Sequence, residues 1–180
     1  MGEAGIFSED DRVELVDGEV VELAAIGKRH VESVMRLTRL LSRWTLLEAP
    51  NNEEGDAAYL VSVQNPVILS EHGAPQPDLV VVRRREGSSG VPVPEEALLI
   101  VEVADTSLAY DRNTKLPLYA TVGIPEAWLV DLTTDTIEVH SEPGAEGYGK
   151  VTRSGHARKV VSATLQDLTF DAAEALPPVG

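Results

Sequence analysis

The chain has 180 residues, with 30 acidic against 15 basic side chains and a formal charge of −15. Hydrophobic residues make up 43% and charged ones 25%, and one domain of this length can bury roughly 70% of its unfolded surface. No run approaches the ~18 apolar residues of a membrane span, and MGEAGIFSEDDRVEL lacks the basic and apolar regions of a signal peptide. With no cysteine, disulfides, thiolate zinc sites and a cysteine nucleophile are excluded. A cytoplasmic location is expected. Such acidity argues against electrostatic coating of nucleic acid, so any nucleic-acid contact has to be local or metal-mediated.

Residues 1–22 carry eight carboxylates and one arginine. Within them Arg12–Val16 alternates, Asp17-Gly18 is a two-residue turn signal and Glu19–Leu23 returns, predicting an antiparallel hairpin. From Lys28 to Trp44 the period changes: Val31, Val34, Leu37, Leu41 and Trp44 mark one face of a helix. Five of the fifteen basic residues fall between 28 and 43, a basic island on an acidic chain.

A polar loop at 50–56 precedes strands expected near 58–69, 78–84 and 97–104. Leu79–Val82 and Leu98–Val101 are continuous apolar runs, suited to central strands covered on both faces. Glu86–Gly90 is expected to be a loop. Residues 108–122 form a helical pattern in which Pro117 demands a kink or break, and Gly123 and Pro125 end it. Strands follow near 126–131, 136–141, 149–154 and 158–162, with a Gly-rich loop at 144–149 and a frayed tail from Pro177. The order predicts a single domain of α/β (α+β) class, a mixed β-sheet flanked by helices behind an N-terminal hairpin.

Glu102 interrupts an otherwise apolar strand. Two-residue alternation places it on the face of Leu98 and Ile100, and a buried carboxylate needs a cation, a donor or a metal. Asp78 opens the neighbouring apolar strand after Pro77. If the strands adjoin, both acids point into one site, where Mg²⁺ could relieve their repulsion. Either acid taken alone is equally readable as a turn residue or a solvent-reaching strand end. Asp111 and Lys115 stand one helical turn apart. They form either a surface ion pair or an arrangement in which Lys115 reaches back to Glu102 and stabilises charge on a reacting phosphate.

These residues form an ordered string: Pro77-Asp78, Glu102–Ser107, Asp111 and Lys115, Leu118-Tyr119-Ala120, and Gly123–Asp131. With Glu14–Glu19 and His30 ahead of it, the string resembles the Uma-two family, a branch of the PD-(D/E)XK phosphodiesterases grouped with the restriction endonucleases. The resemblance spans about residues 12–142. It implies a restriction-endonuclease-like core and a Mg²⁺- or Mn²⁺-dependent nuclease acting on DNA. Asp78 and Glu102 would be its metal ligands, with Lys115 catalytic beside them. The superfamily's usual lysine position, two residues after the second acid, is Ala104 here; in the Uma-two pattern the lysine sits on the following helix, as Lys115 does. A homodimer is an expectation by analogy with enzymes that cut both strands.

Glu19 and His30 are candidates for supporting roles, against plain readings as a solvated strand residue and a packing residue. His72, His140 and His156 are expected at the surface or in loops, and Trp128 in the core. The basic helix face and Arg83-Arg84-Arg85 are either solvated or phosphate-contacting. Two other functions stay open: an inactive nucleic-acid or protein-binding module on a nuclease-like scaffold, and a metal-dependent phosphohydrolase of small nucleotides.

Overall fold

A computed structural model describes residues 13–16, 18–22, 26–47, 59–83 and 90–178. Asp17, Leu23, the 50–56 loop, Arg84, Arg85, most of the 86–90 loop and the last two tail residues lie outside them. Strands β1 (Val13–Val16) and β2 (Glu19–Glu22) pair antiparallel. Gly18 turns between them at φ +83, a conformation glycine adopts without steric cost.

Helix α1 (Lys28–Leu47) buries Val34, Leu37, Leu41 and Trp44 together with Ser33 and Thr45. Val31, expected on that stripe, is 45% exposed, because the first turns of α1 border a groove rather than the sheet. The basic face is largely committed to the protein itself. Arg29 donates to Leu132 O at 2.5 Å and pairs with Asp135, and Arg36 pairs with Glu32 and reaches the carbonyls of Ala173 and Leu176. Arg39 is exposed.

Six strands form the central sheet, β3 (Tyr59–Val63), β4 (Leu79–Arg83), β5 (Ala97–Ala104), β6 (Glu126–Asp131), β7 (Thr136–Gly144) and β8 (Gly147–Gly155), in that spatial order. Only β5 and β6 are parallel, and the connection between them is helical, as a parallel crossover requires. β3 is shorter than expected because Gln64 takes φ +51 and leaves the extended path. The β7–β8 hairpin is longer than expected, the 144–149 loop contracting to a tight turn with Gly147 at φ +112.

The register of β4 on β5 shifts between Val81 and Val82. That irregularity breaks strict alternation, so Leu98 packs with Leu99 and Val101 under α1, while Ile100 and Ala104 pack on the other face with Leu116, Tyr119 and Leu129. The expectation that Leu98 shares a face with Ile100 fails at this bulge.

The helical run consists of α2 (Leu108–Tyr110), a π-helical turn (Asp111–Lys115) and α3 (Leu116–Thr121). Leu116 N–H bonds back to Asp111 O. Pro117 falls in the first turn of α3, and the wider turn before it accommodates a ring that would collide with a regular helical carbonyl. The run therefore bends into a π turn instead of breaking. After β8, β9 (Lys159–Val161) pairs with β10 (Thr169–Asp171), which leads into α4 (Ala172–Ala175). The tail is not frayed at Pro177, which is buried and accepts a 3.5 Å hydrogen bond from Arg29.

Candidate active site

Extending the β4–β5 register one step past the Leu79–Val101 pair sets Asp78 beside Glu102. Just beyond the last ladder rung, Asp78 Oδ2 accepts the Val103 N–H at 2.8 Å. His30, in the first turn of α1, brings Nε2 to 3.1 Å from both carboxylate oxygens. Gln64 donates its backbone N–H to Asp78 O at 2.9 Å and turns its side-chain amide toward Oδ1 at 3.4 Å.

Glu102 is buried on the face covered by the helical run. Its Oε1 accepts the Tyr119 hydroxyl at 2.6 Å and lies 3.2 Å from Lys115 Nζ; no described side chain donates to Oε2. The same ammonium lies 2.9 Å from Glu14 Oε2 and 3.9 Å from Asp111 Oδ1. Asp111, Lys115 and Tyr119 recur every four residues and so share one side of the run. Glu14 reaches the cluster from the buried face of β1, and its Oε2 also accepts the Gln76 N–H at 3.0 Å.

Burial decides the electrostatics. Desolvation pushes the Glu102 carboxyl up to about 8, with Asp111 and Asp78 adding repulsion that Lys115 and the Tyr119 hydroxyl only partly offset. Burial raises Asp111 as well, against the pull of Lys115 and of the 2.6 Å hydrogen bond from Ser107. For Lys115 burial acts in the opposite sense, but Glu102, Glu14 and Asp111 together outweigh it and hold the ammonium charged. Burial and the Glu102 charge push the Tyr119 phenol far up, so it remains a donor.

Four carboxylates thus surround one ammonium and one imidazole. The acid excess, the hard oxygen donors and a Glu102 Oε2 to which no described side chain donates fit a divalent cation. Among the described residues no three His, Asp or Glu side chains converge to enclose a metal on their own. Asp78 and Glu102 could hold such an ion with water or phosphate oxygens completing the shell, which is the habit of Mg²⁺.

The fold brings Asp78, Glu102 and Lys115 into one neighbourhood and sets His30 against Asp78. Glu19 is exposed on β2 and makes no bond to these side chains; beside the turn it faces solvent, and the hairpin contributes Glu14 instead. Glu14, Asp111 and Tyr119 were not singled out as site residues from the sequence. Readable signals existed: Glu14 alternates into register with the apolar Val16, and the 111–115–119 spacing defines one helical stripe. Gln64 carried no such signal.

Away from the site, His140 is buried on β7, with Nε2 3.0 Å from Glu138 Oε2, contrary to the expected loop or surface position. Strand alternation puts both on the face that packs toward the helical run. Glu138 also accepts from Arg153 at 2.7 Å and Arg112 at 3.2 Å. Trp128 is fully buried, as expected, and His72 and His156 are exposed.

The architecture is a nuclease-like fold: over 96% of this chain and 94% of the other, it superposes with TM-score 0.72 and 11% identity on a crystal structure of a "putative nuclease belonging to DUF820" from Anabaena variabilis. The chain belongs to the Uma2 family, described as "putative restriction endonuclease", whose model matches residues 3–173. No curated protein matches it.

Proposed function

We propose that the protein is a Mg²⁺- or Mn²⁺-dependent endonuclease that hydrolyses phosphodiester bonds in DNA, with Asp78 and Glu102 as metal ligands and Lys115 as the catalytic cation. The observation that carries this is the side-by-side placement of Asp78 and Glu102 with Lys115 Nζ 3.2 Å from Glu102, within a family grouped with restriction endonucleases. When bound, the ion supplies Lewis-acid polarisation of the phosphate and an acidified water. Val103 N–H and His30 orient the Asp78 carboxylate. Tyr119 and Lys115 hold Glu102 Oε1, so that its other oxygen, Oε2, would be the one to bind the ion. Glu14 and Asp111 fix the Lys115 ammonium, which neutralises charge gathering on the phosphate oxygens. An acidic protein can thereby accept an anionic substrate, since bound cations reverse the field locally.

A second reading, an inactive scaffold, draws support from the same ammonium: Lys115 is already paired with Glu14 and Glu102, as a purely structural ion cluster would be. Nicking of supercoiled plasmid with and without Mn²⁺ or Mg²⁺ separates the two. The nuclease reading expects metal-dependent nicking that Asp78→Asn and Glu102→Gln each abolish while melting as folded proteins. Absence of nicking at any metal concentration, or full activity in either folded variant, overturns it.

A further inference from the structure

Next to Asp78 the surface opens into a groove of about 510 Å³ between α1 and the end of β3, within the ~300–1,000 Å³ range of small-ligand clefts. Its walls are mainly apolar, with Met35, Val31 and Ile26 being 67%, 45% and 40% exposed. Two of its lining residues, His30 and Gln64, are the same side chains that approach the Asp78 carboxylate. Groove and candidate active site therefore share His30 and Gln64.

Gln64 stands at the junction in a left-handed conformation, φ +51, which costs a non-glycine residue on the order of 1 kcal/mol. Its N–H on Asp78 O and its own carbonyl, which accepts from Gln76 Nε2, hold it there. The strain aims an amide that is bound to Asp78 only at 3.4 Å and can turn to a ligand. His30 Nδ1, on the same side chain that meets Asp78, is buried without a partner among the described residues. Arg39 adds an exposed guanidinium to the wall.

We infer that this groove receives unpaired nucleotides of the strand whose phosphate is presented to Asp78 and Glu102. The inference rests on the nuclease reading and specifies its substrate as a single-stranded or locally splayed nucleic acid. Apolar walls suit base faces and sugars, which pack on such side chains irrespective of sequence. Arg39 meets the backbone phosphate or stacks on a base, and Gln64 offers a donor and an acceptor to a base edge. A duplex cannot place its bases there without unpairing them.

Fluorescence anisotropy with labelled DNA of roughly 12 nucleotides, single-stranded and duplex, in Ca²⁺ tests this on the full chain. The expected result is tighter binding of the single strand. Met35→Glu, which puts a negative charge in the groove from an exposed helix position, weakens it about tenfold or more. Val151→Glu, an exposed change on β8, leaves binding unchanged, and both variants melt like wild type. Single-strand binding unaltered by Met35→Glu, or equal affinity for duplex, overturns the inference while plasmid nicking by the wild type leaves the nuclease reading standing. A Met35→Glu variant that changes oligomeric mass but not DNA binding makes the groove a contact between copies and equally overturns it. Wild-type protein that neither binds nor nicks DNA removes both.

Discussion

Lys115 Nζ lies 2.9 Å from Glu14 Oε2, so the N-terminal hairpin and the π-helical turn are joined by a buried ion pair at the candidate site. Among the described residues the hairpin is also held by the Gln76 N–H on Glu14 Oε2 at 3.0 Å and by two backbone contacts, Ala74 N–H to Leu15 O at 2.8 Å and Gly18 N–H to His72 O at 2.7 Å. The ammonium thus fastens a peripheral element to the central sheet as well as compensating Glu102.

Replacing Lys115 with Met keeps an unbranched side chain one atom shorter and removes its charge. Three buried carboxylates, Glu14, Glu102 and Asp111, lose their common cation, and breaking a buried pair costs about 3–5 kcal/mol. At 2–4 °C per kcal/mol for a chain of this size, the melting temperature should drop by roughly 10 °C. The deficit should widen as pH rises, because the uncompensated acids must ionise in the folded state. Thermal melts at acidic and alkaline pH check this, and a Lys115→Met variant as stable as wild type at alkaline pH contradicts the ion-pair account.

Glu102 sets a pH dependence of its own. Its folded-state value of about 8 stands above the ordinary 4.5, so between these limits the folded protein binds more protons than the unfolded chain. Stability therefore falls as pH rises through that window. Glu102→Gln should flatten the fall and leave the variant more stable than wild type above pH ~8, by a few kcal/mol at most. Tyr119→Phe acts the other way: losing the 2.6 Å donor raises Glu102 further, costs about 1–3 kcal/mol, and shifts the acidic limb of metal-dependent cleavage to higher pH. Urea unfolding across pH, together with a pH–rate profile, reads both effects; a Tyr119→Phe profile superimposable on wild type argues against the assigned hydrogen bond.

Glu126 has a structural part. Its Oε2 accepts Ser162 Oγ, Ala163 N–H, Thr164 N–H and Thr164 Oγ1 at 2.7–3.0 Å, and Oε1 accepts Trp128 Nε1 at 2.5 Å. Glu126→Gln must turn an NH₂ group against donors, so about 2–4 kcal/mol of stability should go. Activity per folded molecule should stay unchanged. Chemical denaturation and plasmid nicking at low temperature measure the two separately, and selective loss of nicking would instead place Glu126 in the chemistry.

Strand and helix periodicity made most of the fold legible. The apolar runs at 79–82 and 98–101 are adjacent central strands, the Asp17-Gly18 signal lies between two paired strands, and Trp128 is in the core. Periodicity failed where backbone geometry departs from it. The β4–β5 bulge moves Leu98 to the opposite face, Gln64 ends β3 early, and a π turn absorbs Pro117. Each depends on how a segment fits its neighbour and leaves no trace in a one-dimensional pattern. β10 and α4, three and four residues long, were not anticipated.

For the site, an acid inside an apolar strand was enough to mark Glu102, because an unpaired buried carboxylate is expensive wherever that strand packs. Beyond Asp78 and Lys115, what surrounds it was not assigned. Glu14, Gln64 and Tyr119 come from a hairpin, a strand end and a helix; periodicity marks the buried side of Glu14 and the stripe of Tyr119, but nothing in a single residue says that they meet around Asp78 and Glu102. By itself the sequence determined which groups would need partners, since charge and hydrophobicity belong to single residues. Only the tertiary structure decided which partners they obtained, because Coulomb energy and desolvation depend on distances that chain folding alone sets.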